Sequence, residues 1–329
     1  MEQTELYPLK FEPIYQYRIW GGRRLNTLLS KPLPPNDPIG EAWILSDRDD
    51  HPSKVINGPL KGKTISQLLD QYPQKLLGNL SYKFKRFPLL LKFLDCKQVL
   101  SVQVHPSDNL TAYIPKGESG KTEAWVVLET GKDATIYAGL IPGTTEDKLK
   151  ASLKTHQVAD DLASFKPKVG DGVLIEAGTV HTLKDMVVFE VQENSDVTYR
   201  LYDWDRIDEK TGKPRDLQVD EALACIDFTK IAIGPINASL VVQHPVSREK
   251  LITNQHFDLW RVTGSFAFMV GKEDVPTVLV CISGRGELEC GSELYPLKKG
   301  EVMLIPANTG ACPFLPNGDV VLLELALPE

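Results

Sequence analysis

The chain has 329 residues, 42% of them hydrophobic, enough for one large or two moderate domains with sizeable cores. Its formal net charge is −7 and its lysines and arginines are scattered, which argues against a nucleic-acid partner. No apolar run is long enough to span a membrane, the N-terminal MEQTELYPLKFEP lacks the basic start and apolar core of a signal peptide, and the five cysteines stand far apart without a CxxC pair, so a reduced, cytoplasmic protein without a cysteine-built zinc site is expected.

In chain order, residues 64–77 (TISQLLDQYPQKLL) space Ile65, Leu68, Leu69, Leu76 and Leu77 along one helical face, with Pro73 splitting them. Strands are predicted at 99–105 (VLSVQVH), 124–128 (AWVVL) and 134–138 (ATIYA). A helix at 145–155 follows, with acids in its first turn and lysines in its last. Strands at 173–175 (VLI) and 186–192 (MVVFEVQ) lead to a polar loop at 203–216 and a third helix at 217–226. Residues 227–245 read as a linker, with strands at 278–282 and 301–305 beyond it. Short apolar or alternating runs divided by Gly, Pro, Asn and Asp mark an all-β chain with a few helices.

One pattern occurs twice. GDGVLIEAGTVHTL begins at Gly170 and GEVMLIPANTGACPF at Gly300; the alignment puts Leu174 on Leu304, Ile175 on Ile305, Ala177 on Ala307 and His181 on Ala311. CISGRGELECG and VLETGKDATIYAG each read as strand, Gly turn, strand. The chain therefore divides into residues 1–235 and 236–329, each predicted to close as a small antiparallel barrel or jelly roll.

Chemistry concentrates in the first copy. In LSVQVHP (100–106), Leu100, Val102 and Val104 point one way and Ser101, Gln103 and His105 the other. Alone, that is also how a half-exposed strand looks. In GKTEAW, Lys121, Glu123 and Trp125 again share a face, and His181 ends the repeated turn. Two imidazoles and a carboxylate from three strands suit zinc, iron or manganese, with Gln103 a weak fourth ligand. The second copy has Ala311 for His181 and Pro276 or a neighbour for Glu123, so it is expected to be a degenerate, shaping module.

The turn at 170–181 matches the second cupin motif, G-x5-P-x-G-x2-H, with Glu176 in place of the proline. WGGRRL at 20–25, GEAWILS at 40–46, FPLLLKFLD at 87–95, LSVQVHP, KTEAW at 121–125, EAGTVHTL at 176–183 and QENSDVTYRLYDW at 192–204 together resemble the type I mannose-6-phosphate isomerases, in their short bacterial form, over about the first two thirds of the chain. The resemblance implies two cupin barrels and interconversion of mannose 6-phosphate and fructose 6-phosphate through an enediolate. It implies one zinc ion per chain on Gln103, His105, Glu123 and His181, and an essential Arg200. It further implies Lys121 and Glu193 beside the chemistry and Lys92 and Ser101 on the substrate or its phosphate. A monomer or weak homodimer is expected. The extra helical insertion of longer fungal and enteric members is missing.

The base is left open among Glu193, Lys121 and a metal-bound hydroxide, and Arg200, always charged, is assigned to electrostatic stabilisation. Simpler roles stand beside these: an Arg200 ion pair with Asp196 or Asp203, Glu193 capping the Asn194–Asp196 turn, Trp20 and Trp43 as barrel packing, His51, His156, His244 and His256 at the surface, and Cys281 and Cys290 as facing free thiols. Competing functions are a metal-dependent cupin oxygenase, which Gln103 in place of the first histidine of H-x-H disfavours, and a non-catalytic sugar-binding or regulatory bicupin.

Overall fold

The computed structural model describes residues 5–242 and 245–328, so His244 lies outside the described residues. A nine-stranded sheet comprises β1 (Ile14–Gly22), β2 (Ile39–Leu45), β3 (Leu89–Cys96), β4 (Val102–Val104), β5 (Glu123–Leu140), β6 (Leu162–Phe165), β7 (Gly172–Ile175), β8 (His181–Glu193) and β9 (Tyr199–Tyr202). Its order is β1-β2-β3-β8-β4-β9, and β5 pairs with β6, β7 and β8. β10 (Ile207–Asp208) and β11 (Lys213–Pro214) form a small hairpin. The rest of the chain carries β12 (Ser239–Val242), β13 (Ser247–Thr253), β14 (Asp258–Gly264), β15 (Phe268–Val270), β16 (Thr277–Ser283), β17 (Arg285–Cys290), β18 (Glu293–Lys298), β19 (Val302–Ile305), β20 (Cys312–Pro316) and β21 (Val320–Ala326). They form a six-stranded sheet, β12-β13-β14-β21-β16-β19, and a four-stranded one, β15-β20-β17-β18. Strand ladders are antiparallel throughout, and the chain is all-β with few helices, as expected.

The repeat is structural. β7 and β19 carry the aligned residues; Leu174 pairs with Ala124 on β5, and Leu304 with Val278 on β16. Gly170 and Gly300 both take positive φ, 92° and 82°, a conformation cheap only for glycine. An apolar cluster that includes Leu45, Leu91, Phe93, Phe189 and Val191 continues into Leu259, Val280, Leu304 and Leu323. Leu9 exchanges backbone hydrogen bonds with Leu304 at 2.8 Å each way, so the N-terminal segment is stitched to the second barrel.

The helices form where periodicity placed them. Thr64 and Gln67 make a capping box for Ile65–Gln71, and Pro73 opens a separate turn, Pro73–Leu77, at its N-terminus. Thr145 caps Glu146–Lys154, and Val219–Cys225 is the helix expected at 217–226; a short helix at Leu25–Leu29 was not expected.

Four expectations change. VLETGKDATIYAG is no hairpin: β5 is one 18-residue strand, with register shifts between Val127 and Glu129 and between Thr130 and Thr135. Its counterpart is broken, because Gly284 turns at φ 75° between β16 and β17. Strand 99–105 shrinks to Val102–Val104, since the Leu100 carbonyl accepts from the Thr182 hydroxyl and the Trp204 indole. The loop 203–216 contains β10–β11, pinned by Asp208 Oδ1, which accepts from the Lys210 amide and the Tyr17 hydroxyl. All five cysteines are free thiols, but Cys290 meets Cys312 while the Cys281 thiol donates to the Ser283 carbonyl.

Candidate metal centre and active site

β4 presents Ser101, Gln103 and His105 on one face, and that face turns into a cavity instead of solvent. Gln103 lies opposite His181 on β8 and opposite Arg200 on β9. Glu123, first residue of β5, lies opposite Ile175 and Gln192. Three strand ends thus bring His105, Glu123 and His181 together, each at most 1% exposed.

His105 Nε2 is 3.2 Å from Glu123 Oε2, and His181 Nε2 is 3.3 Å from Glu123 Oε1. Each imidazole is held through its other nitrogen: His105 Nδ1 donates to the Val197 carbonyl at 2.8 Å, and His181 Nδ1 to the Thr179 carbonyl at 2.9 Å. Both Nε2 lone pairs therefore face Glu123, the tautomer a metal ligand needs. The Gln103 amide sits 3.2 Å from His181 Nε2, with the Ser101 hydroxyl donating to its oxygen.

Lys121 Nζ approaches Glu123 Oε2 at 2.7 Å and His105 Nε2 at 3.2 Å. Neither carboxylate oxygen of Glu123 has a hydrogen bond of good geometry, although both are buried. Burial alone would raise this carboxyl; Lys121 and His105 reverse that and hold it well below the usual range. Burial and then the Lys121 charge push His105 down to about 3, so it is a neutral imidazole. Two imidazoles turned by Nε2 toward a buried carboxylate that lacks a well-formed hydrogen bond fit a divalent first-row cation.

Above this cluster opens a cavity of about 380 Å³. Lys92, 3% exposed, holds its ammonium 3.5 Å from Glu190 and from Asp196, 3.9 Å from Glu41, and over the Trp43 ring at 5.0 Å. Despite burial, the three carboxylates raise its pKa. Arg18 binds Glu41 with both arms of its guanidinium, and the Trp43 indole donates to Glu41 as well; burial notwithstanding, Arg18 and Lys92 bring that carboxyl down to about 2. Burial and the charge of Glu123 push Glu190 the other way, up.

Arg200 lines the same cavity, donates to the Asp216 carbonyl at 2.8 Å, and makes no ion pair among the described residues. The alternative of a surface pair is not seen among the described residues: Asp203 is taken by Arg206 and Arg215, and Asp196 stands by Lys92.

Lys92, Ser101, Gln103, Lys121, Glu123 and Arg200 line this cavity, and His105 and His181 sit against Glu123 beneath it. Glu193 does not belong to the set. Side chains alternate along β8, so Glu190 and Glu193 face opposite ways; Glu193 lies in a separate cleft with Asp108 and His256. Glu190 is the acid the sequence reading missed, together with Arg18 and Glu41. The signal was available: Glu190 and Gln192 alternate with the apolar Phe189 and Val191. His256 is half-buried beside Glu193, not a bare surface residue. His51 lies edge-on to Trp43, and Trp20 packs at the cavity wall.

The catalytic-domain pattern of type I phosphomannose isomerase matches residues 8–156, and the cupin-domain pattern of mannose-6-phosphate isomerase matches residues 252–321. The mannose-6-phosphate isomerase ManA of Bacillus subtilis is 36% identical over 92% of this chain and 94% of its own. The mannose-6-phosphate isomerase of Streptococcus mutans is 33% identical over 96% and 97%. The crystal structure of the mannose 6-phosphate isomerase from Bacillus subtilis superposes with a TM-score of 0.89 at 29% identity, covering 98% of this chain and all of that one. These matches lend nothing to the oxygenase or non-catalytic alternatives. With a metal-ligand cluster at the floor of its charged cavity and relatives of that identity along nearly its whole length, the chain belongs to the type I phosphomannose isomerase family.

Proposed function

We propose that this protein interconverts mannose 6-phosphate and fructose 6-phosphate, residues 1–235 carrying the site and 236–329 shaping and bracing it. The observation that carries this reading is the orphaned Glu123 carboxylate between two tautomer-fixed imidazoles, at the floor of a cavity that also holds Lys121, Glu190 and Arg200. His105, Glu123 and His181 would hold zinc, with the Gln103 amide oxygen as fourth ligand. Bound there, zinc supplies Lewis-acid stabilisation of charge developing on the sugar oxygens.

The chain's own groups do the rest. Isomerisation moves a proton between C2 and C1, and the base must reach both carbons. Glu190, whose carboxyl is raised by burial and by Glu123, is suited to hold that proton; its Oε2 is oriented by the Trp125 indole at 2.9 Å. Lys121, fixed against Glu123 and His105, faces the same space and donates to an oxygen that gains charge. Arg200, with no carboxylate on its guanidinium, stabilises the enediolate electrostatically. Lys92 and Ser101 bind polar groups of the substrate. The three carboxylates around Lys92 balance its charge, which favours sugar hydroxyls over the phosphate itself.

A cytoplasmic location and a monomer or weak homodimer complete the proposal; no helix among the described residues is long and apolar enough to cross a membrane. The test is a coupled assay offering mannose 6-phosphate, glucose 6-phosphate and unphosphorylated mannose to the zinc-loaded protein. Conversion of the first at least about a hundredfold faster than the others supports the reading. A folded, metal-loaded protein that leaves mannose 6-phosphate untouched overturns it.

A further inference from the structure

Glu193 is 7% exposed, yet no lysine or arginine among the described residues pairs with it. It stands in a cleft of about 570 Å³ lined from both barrels. Its Oε1 accepts from the Thr122 amide at 2.8 Å. Its Oε2 faces His256 Nδ1, on the turn between β13 and β14, at 3.4 Å. Asp108 completes the group: its Oδ1 accepts from the Gly120 amide at 2.8 Å. Lys83, which also lines the cleft, stacks over Phe84.

Asp108, Glu193 and His256 each turn a ligand atom to within 4.8 Å of the other two. First-row cations bind such atoms at about 2.0–2.2 Å, which places donors within about 4 Å of one another, so a small rotation of the exposed Asp108 closes the set. The Gln255 amide contacts His256 Nε2 at 2.9 Å, while Asn254 Oδ1 accepts from the amides of His256 and Phe257. The Gln255 amide nitrogen on Nε2 leaves the proton on Nδ1, toward Glu193; exchanging the amide's oxygen and nitrogen puts an acceptor on Nε2–H and frees the Nδ1 lone pair for a cation between the carboxylates. Burial and the neighbouring Asp108 raise the Glu193 carboxyl to about 7, as befits an acid that lacks a counter-ion. Burial lowers His256, keeping it neutral. A buried acid, a second acid and a neutral imidazole form a site whose missing partner is a cation.

We propose a second divalent-metal site at the seam of the two barrels, with Asp108, Glu193 and His256 as ligands, for a zinc- or manganese-class ion. Its position gives it an effect on the first. The amides of Gly120 and Thr122 flank Lys121, so the two carboxylates grip the strand entry that carries Lys121 and Glu123 from behind. Gly120 is needed for that grip, because a Cβ there would lie 2.6 Å from the Asp108 amide nitrogen. The ion would tie this segment to the turn of the second barrel and give the degenerate copy a bracing part in the active site.

The test is equilibrium dialysis of chelator-stripped protein against Zn²⁺ alone, with metal counted per chain. Two equivalents are expected for the native protein and one for His256→Ala and for Asp108→Asn. In a His181→Ala background, which disables the first site, one equivalent should remain and vanish on adding His256→Ala, whatever the fate of the isomerase assignment. The affinity of the seam equivalent should fall by about 100-fold or more in His256→Ala. Native protein that takes up a single equivalent, or two that persist in folded His256→Ala and Asp108→Asn, overturns the site.

Discussion

At the ladder position where the first barrel carries Glu123, opposite Ile175 and Gln192, the second carries Thr277, opposite Ile305 and Ala326. The buried Thr277 hydroxyl has no hydrogen-bond partner among the described residues, a trace of polarity at a position with no chemistry left. Glu190 has a true counterpart in Glu324, but their surroundings differ. Glu190 pairs across the sheet with Lys92, which pairs with Trp43; Glu324 pairs with Trp260, which pairs with Lys250. Cation and indole have changed places, and both pairs keep the stack, at 5.0 and 5.4 Å. Arg248 stands where Glu41 would be, opposite Val262 as Glu41 is opposite Leu94. It binds Glu324 Oε2 at 2.6 Å while the Gly271 amide binds Oε1 at 2.7 Å, so that carboxylate is fully occupied. The barrel tolerates a charged mouth in either copy. Among the described residues, only the first copy gathers a buried carboxylate without a well-formed hydrogen bond and two imidazole Nε2 atoms at one point, and that gathering of ligand atoms separates a centre from a scaffold.

The sharpest way to break the comparison is to exchange its histidine. His181→Ala should remove the metal of the first site and lower kcat/KM by about 10³-fold or more, as expected when several kcal/mol of charge stabilisation is lost. Ala311→His should add no metal and change no rate, because Thr277 offers no carboxylate. Metal content and turnover measured on both variants decide this. Next comes Arg200→Ala, for which kcat should fall about 10²–10³-fold with Arg200→Lys recovering only part, read from steady-state kinetics.

The swapped lysines give a stability contrast. Lys92→Met leaves Glu41, Glu190 and Asp196 without their shared cation and should cost about 3–5 kcal/mol in urea unfolding. Lys250→Met should stay within about 0.5 kcal/mol.

The smallest effect concerns Glu193. Its folded pKa of about 7 lies above the ordinary 4.5, so the stability contributed by its neutral form is complete below about 4.5 and is lost as pH rises through about 7. In chelated protein, Glu193→Gln should therefore raise Tm at pH 8 by about 3 °C or more and leave it nearly unchanged at pH 5.

Much of this architecture was legible because it rests on local rules. The Gly170 and Gly300 turns, the Thr64 cap, Pro73 and the alternation in LSVQVHP each declare themselves within a few residues. The gathering of His105, Glu123 and His181 was legible for the same reason: polar side chains on the inner face of a strand need a purpose. What was not legible depended on neighbours distant in sequence. Whether β5 turns at Gly131 or runs straight is settled by β8 alongside it. Glu193 came from the resemblance and Glu190 was passed over; parity counted from His181 would not have corrected this, because β8 bends at Asp185, which takes a positive φ of 54°. The company of Glu193 was hidden for a plainer reason. His256 comes from the other barrel, and only the folded chain brings it to Asp108.

We propose that one ion at His105, Glu123 and His181 makes this barrel an isomerase. The most direct measurement follows metal content and mannose 6-phosphate turnover in one preparation, as purified, after chelation, and after stepwise return of zinc. Turnover that disappears with the metal and returns as the His105–Glu123–His181 site refills, and that His181→Ala protein fails to regain, is the predicted result. Full turnover in folded protein stripped of metal would contradict the account.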